Sequence, residues 1–210
     1  MGPFRCGGHP VDLQGKGIGI VPTIWPEAVQ ERSFSGFFDQ LDSEELVIKP
    51  VVGANGEDAF RISRSDSPER LARIAGCFID RRAMVQRFMP QIITEGEYSL
   101  FFFNGEFSHA ILKTPAKSEF RSQEERGAEI RQASPDSTLL LRGQQVLAVL
   151  SVAPLYTRID FVRDDEDDFV VMELELIEPS MYLRTHPDGP MNFARAIDDS
   201  YRNLSADMAN

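Results

Sequence analysis

A chain of 210 residues, 42% hydrophobic and 26% charged, is long enough for one or two soluble domains with a sizeable core. Its formal net charge of −11 argues against nucleic acid as a partner, and no apolar run reaches the roughly 18 residues a membrane span needs. Two distant cysteines, Cys6 and Cys77, fit a reduced cytoplasmic setting, and His9, His109 and His186 lack the spacing of a zinc site.

The first 18 residues contain MGPFRCGGHPVDLQGKG, rich in Gly and Pro and without the apolar centre of a signal peptide, which suggests a flexible leader. A short strand is expected over Gly19 to Trp25. Phe34, Phe37, Phe38 and Leu41 share one face of a predicted helix. Leu46 to Val52 reads as a buried strand with Lys49 inside it, followed by the loop Gly53-Ala54-Asn55-Gly56 and a second strand at Ala59 to Ile62. The chain has 18 Arg and four Lys, so a Lys within an apolar strand is conspicuous. Burying its ammonium is costly unless an anion meets it, although a stem along the surface with its head in water also fits. Glycine loops of this kind can form phosphate nests, yet the spacing is neither a P-loop nor a dinucleotide fingerprint.

Ser67-Pro68-Glu69 starts a helix: a cap, Pro in the first turn and an acid at the positive end. Met84 to Met89 is a strand stopped by Pro90. Glu97 to Phe103 and Glu106 to Lys113 form a hairpin about Asn104-Gly105, and Lys113 is a second Lys in an apolar strand. The polar stretch from Ala116 to Pro135 lacks apolar periodicity and is expected as a mobile loop. Ser134-Pro135 is expected to open a helix reaching about Leu150, and a last amphipathic helix to run from about Met191 to Leu204.

Between those helices lies an acidic hairpin, LYTRIDFVRDDEDDFVVMELELIEP, residues 155–179. Period two puts Arg158 and Asp160 on one face of the first strand and Glu173 and Glu175 on one face of the second, with Met172, Leu174 and Leu176 opposite. Aligning the apolar faces gathers Asp160, Glu173, Glu175 and Arg158 on one surface. Two carboxylates ~4 Å apart repel by about 4 kcal/mol at an effective dielectric of ~20. Two readings stay open: a solvated outer face, or a site for hard cations that take oxygen ligands. The alternation of strand pairs with helices indicates an α+β protein of two lobes, joined near Pro90.

The ordered stretches VIKPVVGANG, MVQRFMP, EGEYSLFFFNGEFSHAILKTP, FRSQ, RIDFV and MELELIEPS resemble the ATP-grasp superfamily, in its glutathione-synthetase-like and cycloserine-ligase-like branch. The resemblance implies two lobes on antiparallel sheets with a nucleotide cleft between them: 19–88 as the first lobe and 89–205 as the second. It implies ATP and Mg²⁺ (or Mn²⁺) as cofactors. Lys49 would contact the α- and β-phosphates, and Gly53, Asn55 and Gly56 would fold over them. Gln86, Arg87 and Phe88 would form the adenine hinge, Glu97 would reach the ribose or substrate, and Lys113 would lie near the phosphates. Arg121 on the mobile loop and Arg158 would stabilise the transferring phosphate, and Asp160, Glu173 and Glu175 would bind the metal.

Three departures stand out. The last metal position is commonly Asn and is Glu175 here; the mobile loop has Arg126-Gly127-Ala128 in place of a Gly-Gly pair; and few residues precede Gly19, where such enzymes usually carry an N-terminal domain. The implied function is an ATP-dependent ligase joining a small-molecule carboxylate to an amine or related nucleophile through an acyl phosphate. The alternatives are a nucleotide-binding module without independent catalysis, or an acidic interaction protein. A homodimer is compatible with the sequence, which leaves the oligomeric state open.

Overall fold

The computed structural model describes residues 10–53, 56–152 and 154–207. Cys6, His9, Asn55 and the first half of the expected leader lie outside them. Among the described residues the strands form a four-stranded and a five-stranded sheet, both antiparallel, each in its own compact unit. The α+β architecture expected from the sequence is thus observed. No helix among the described residues is long and apolar enough to cross a membrane.

One unit comprises Val21–Pro90 and Pro115–Ala128. Its sheet contains β1 (Thr23–Ile24), β2 (Glu45–Pro50), β3 (Phe60–Ser63) and β4 (Ala83–Arg87), in the order β1-β4-β2-β3. The core includes Phe34, Phe37 and Phe38 of α2 (Phe34–Gln40), Leu46 and Ile48 of β2, and Ile74 and Ala75 of α3 (Pro68–Gly76). The Ser67 hydroxyl caps α3 by accepting from the Arg70 N–H at 3.3 Å, and Pro68 occupies the first turn, as the sequence indicates.

The other unit comprises residues up to Ile20, Gln91–Thr114 and the chain from Glu129 onward. Where the leader is expected to be flexible, α1 (Pro10–Gly15) forms, with Leu13 buried. The short strand expected over Gly19 to Trp25 is narrower still: β1 plus a parallel bridge between Ile20 and Val171. The sheet holds β5 (Glu97–Phe103), β6 (Glu106–Thr114), β7 (Glu129–Ala133), β8 (Tyr156–Arg163) and β9 (Phe169–Glu175), in the order β7-β6-β5-β8-β9. A short helix, α4 (Gln91–Thr94), precedes β5.

Two expectations are corrected in this part of the chain. The polar stretch 116–135 carries a 3-10 turn at Glu124–Arg126 and strand β7, which pairs with β6 through Lys113↔Ile130. As an edge strand with largely solvated side chains, β7 has no apolar alternation to betray it. Helix α5 (Ser137–Ala148) begins later than expected, because Asp136 supplies the cap: its Oδ1 accepts from the Leu139 N–H at 2.8 Å. A Cβ on Gly143 would lie 2.7 Å from Phe102 Cζ, so α5 approaches the sheet as closely as it does only because this residue has no side chain. The final helix, α6, spans Gly189–Asp207.

Candidate nucleotide and metal site

The five-stranded unit concentrates charge on four adjacent strands. Glu97 of β5 stands opposite Lys113 of β6, Arg158 of β8 opposite Glu175 of β9, and Asp160 opposite Glu173. The register expected from period two is therefore present. A ladder irregularity between Asp160 and Phe161 places Met172 out of alternation, and Val171 and Leu174 fill the buried face instead.

The solvated-face reading fails for β8 and its inner neighbours, whereas Glu173 and Glu175 on β9 are half-buried. Asp160 is 1% exposed, Lys113 6%, Glu97 7% and Arg158 8%. Strand β8 is buried on both faces, so its polar side chains are enclosed and must find partners within the protein. Lys113 Nζ donates to Asp160 Oδ2 at 3.1 Å and also pairs with Glu97. Arg158 donates from Nε to Asp160 Oδ1 at 3.1 Å and from Nη2 to Oδ2 at 3.0 Å, and pairs with Glu175. Its Nη1 donates to the Ser180 carbonyl at 3.4 Å, tying the segment after β9 to the same guanidinium.

Four carboxylates, Glu97, Asp160, Glu173 and Glu175, lie about Lys113 and Arg158. Burial would raise Asp160, but Arg158 and Lys113 together hold it well below the usual carboxylate range. Glu97 and Glu175 fare differently. Burial is the largest influence on both and, with the charges of Asp160 and Glu173, pushes each up to about 7, against the pull of Lys113 on Glu97 and of Arg158 and Lys113 on Glu175. For Lys113, burial favours the neutral amine, but Asp160 and Glu97 outweigh it and the pKa is raised. Asp160, Glu173 and Glu175 each offer an oxygen, and these atoms lie within 4.8 Å of one another. A set of three carboxylate oxygens of this size suits a hard divalent ion such as Mg²⁺.

The four-stranded unit holds most of the other expected residues. Lys49 lies on β2 opposite Met84 and is half-buried. Gly53 and Gly56 bracket the loop after β2. Gly56 has φ +60, which favours glycine, and a Cβ there would lie 2.9 Å from Gln123 Oε1 and 3.1 Å from Arg121 Cδ, so a side chain would strain the backbone and displace these two. Its carbonyl accepts from Arg121 Nη1 at 3.3 Å and from Arg126 Nη2 at 3.4 Å, joining the glycine loop to the stretch around Arg121. The sequence marks Arg126 only as standing where related loops carry a Gly-Gly pair, and gives no sign of this contact.

At the expected hinge, Gln86 is buried and its Nε2 donates to Thr23 Oγ1 at 3.1 Å. The Arg87 N–H donates to the Pro22 carbonyl and the Phe88 N–H to the Glu45 carbonyl. Those two donors are committed within the unit. The Phe88 ring is 5% exposed and covered by the Arg61 guanidinium at 3.8 Å. A surface groove of about 600 Å³ beside α2 and α3 is lined by Phe34, Phe38, Arg64 and Leu71, and by none of the candidate residues.

A cycloserine biosynthesis protein, DcsG of Streptomyces lavendulae, is 27% identical over 198 residues, covering 89% of this chain and 66% of that protein. The glutathione synthetase of Prochlorococcus marinus is 28% identical over 162 residues, covering 77% of this chain and 50% of that enzyme. The chain thus spans between half and about two thirds of the length of these relatives. The crystal structure of D-cycloserine synthetase DcsG superposes with a TM-score of 0.79 at 24% identity, over 93% of this chain and 69% of that one. The D-alanine–D-alanine ligase of Bacillus anthracis, complexed with ATP, gives a TM-score of 0.67 at 16% identity, over 95% and 67%. The family profile for the prokaryotic glutathione synthetase ATP-grasp domain matches residues 24–151, well over half of the chain, which therefore belongs to that family.

Proposed function

We propose that the chain is the ATP-grasp portion of an ATP- and Mg²⁺-dependent ligase that joins a small-molecule carboxylate to an amine or related nucleophile. The observation that carries this reading is the convergence of buried Asp160 with half-buried Glu173 and Glu175 beside Arg158 and Lys113. Carboxylates this close repel one another, and a divalent cation between them would offset that repulsion. Magnesium, when bound, supplies charge neutralisation and alignment at phosphate oxygens.

The side chains have separable tasks. Asp160 stays ionised because two cations hold it so, and with Glu173 and Glu175 it would ligate the metal. Lys49, Lys113, Arg121 and Arg158 would meet phosphate oxygens, and Gly53 and Gly56 let backbone approach them. Gln86, Arg87 and Phe88 would border the adenine, with Glu97 near the ribose or substrate. In the reaction proposed, a substrate carboxylate oxygen bonds to the γ-phosphorus as the bond to ADP breaks. The amine then bonds to the acyl carbon, phosphate leaves, and the amine gives up a proton. Transfer of this kind needs alignment and charge stabilisation more than covalent help.

A second reading is nucleotide binding without independent turnover. It draws on the coverage of the relatives, whose remaining third to half this chain does not match. One experiment separates the two: melting curves with and without Mg²⁺ and ADP, then ADP release over a panel of amino acids and amines. At ~100 times the dissociation constant a ligand adds about 2.7 kcal/mol. A shift with turnover supports the ligase, and a shift without turnover on any substrate supports the second reading. The absence of any shift defeats both.

A further inference from the structure

We infer that Glu119 is the positioning residue for Arg121: it holds that guanidinium in one orientation, aimed at the glycine loop, for contact with the terminal phosphate of a nucleoside triphosphate. This deepens the ligase reading and rests on it.

Glu119 gathers a dense set of contacts for one side chain. Its Oε1 accepts from the backbone N–H of Phe120 at 2.8 Å and of Arg121 at 3.2 Å, and from Arg121 Nε at 3.0 Å. Its Oε2 accepts from Arg121 Nη2 at 2.7 Å. The guanidinium is therefore gripped as a two-toothed fork, the strongest geometry open to Arg and a carboxylate. Nη1 is left to reach the Gly56 carbonyl, 65 residues away in sequence.

Two further facts argue against an incidental surface pair. The side chains are only 20% and 23% exposed, whereas an ordinary exposed pair contributes little. The carboxylate is also fixed from its own backbone: the Glu119 N–H donates to the Ala116 carbonyl at 2.9 Å. Arg121 is thus immobilised without reaching into the core. A long side chain that is already ordered loses less entropy when it meets a ligand. The hydrogen bond to Arg121 holds the Glu119 carboxyl down at about 2, so the grip persists across the physiological range.

The test uses isothermal titration of the native chain, Glu119→Ala, Arg121→Ala and the double variant with Mg-AMPPNP and Mg-ADP. A positioning role predicts that each single change weakens AMPPNP about tenfold, the loss of one charge-assisted contact, with ADP within about twofold. It also predicts that the double variant is no worse than Arg121→Ala, because Glu119 acts only through its partner. Glu119→Gln, which keeps an acceptor for the Phe120 and Arg121 N–H groups, should recover part of the AMPPNP affinity. Additive losses in the double variant, or unchanged AMPPNP binding by Glu119→Ala, overturn the inference while leaving the ligase reading intact. A native chain that binds neither nucleotide overturns both.

Discussion

Lys113 Nζ lies 3.1 Å from Asp160 Oδ2, although 47 residues separate the two in sequence and β5 runs between their strands. Both side chains are almost fully enclosed. The ammonium at the end of an apolar strand, conspicuous in the sequence, has found its anions.

Removing that ammonium should be severe. Lys113→Met leaves Asp160 with Arg158 alone and Glu97 without its cation. Breaking a buried pair in this way costs about 3–5 kcal/mol. Urea denaturation of Lys113→Met should show a loss of that size, and adding Glu97→Gln should restore part of it. A single variant as stable as the native chain would refute the enclosed geometry.

Glu173→Gln tests the metal assignment without disturbing the packing. The side chain keeps its volume and loses its charge. Far-ultraviolet circular dichroism and the melting temperature without ligand should stay near native. The additional stabilisation by Mg-ADP over ADP alone should disappear, and turnover with it. Full activity in this variant would mean that the metal lies elsewhere.

The two raised carboxylates predict a pH dependence whose sign is fixed. Glu97 and Glu175 titrate at about 7 in the folded chain against an ordinary 4.5, so folding takes up protons between those values. Their contribution is complete below about 4.5 and is lost as the pH rises through 7. Unfolding free energies measured across that window should decline more steeply for the native chain than for the Glu97→Gln, Glu175→Gln double variant. Metal ligands must be deprotonated, so Mg²⁺ affinity should rise over the same interval. Calorimetric titration at several pH values reads this directly, and an affinity independent of pH would contradict it.

Gly143→Ala addresses the fold alone. The added methyl would meet Phe102 Cζ at 2.7 Å and Leu100 Cδ2 at 3.1 Å, which forces α5 away from the sheet. Overpacking of this kind costs about 1–3 kcal/mol, more than the better helix propensity of Ala returns. A variant that melts at or above the native temperature would show that the helix shifts freely.

What could be read from the chain, and what could not, divides along physical lines. Period two was enough to bring Asp160, Glu173, Glu175 and Arg158 onto one face, because a slip of one residue would have put Ile159 and Phe161 there instead. The burial of that face was not legible, since the hairpin alone does not say that β8 is a central strand. Strand β7 stayed hidden because its partner β6, rather than its own side chains, holds it in place. The irregularity at Met172 depends on ladder geometry that no side-chain pattern records. At the expected hinge, the sequence marked Arg87 and Phe88 but could not show that their N–H groups are already taken. The grip of Glu119 on Arg121 is visible as two letters two positions apart, a spacing too common to mean anything without coordinates.

The excursion of 115–128 out of one compact unit and into the other has a consequence for dissection. The polypeptide passes from one body to the other at 20–21, 90–91, 114–115 and 128–129. No single cut of the backbone can release either body whole. A fragment ending at Pro90 would lack Arg121, and one starting at Gln91 would carry fourteen residues that belong with the part left behind.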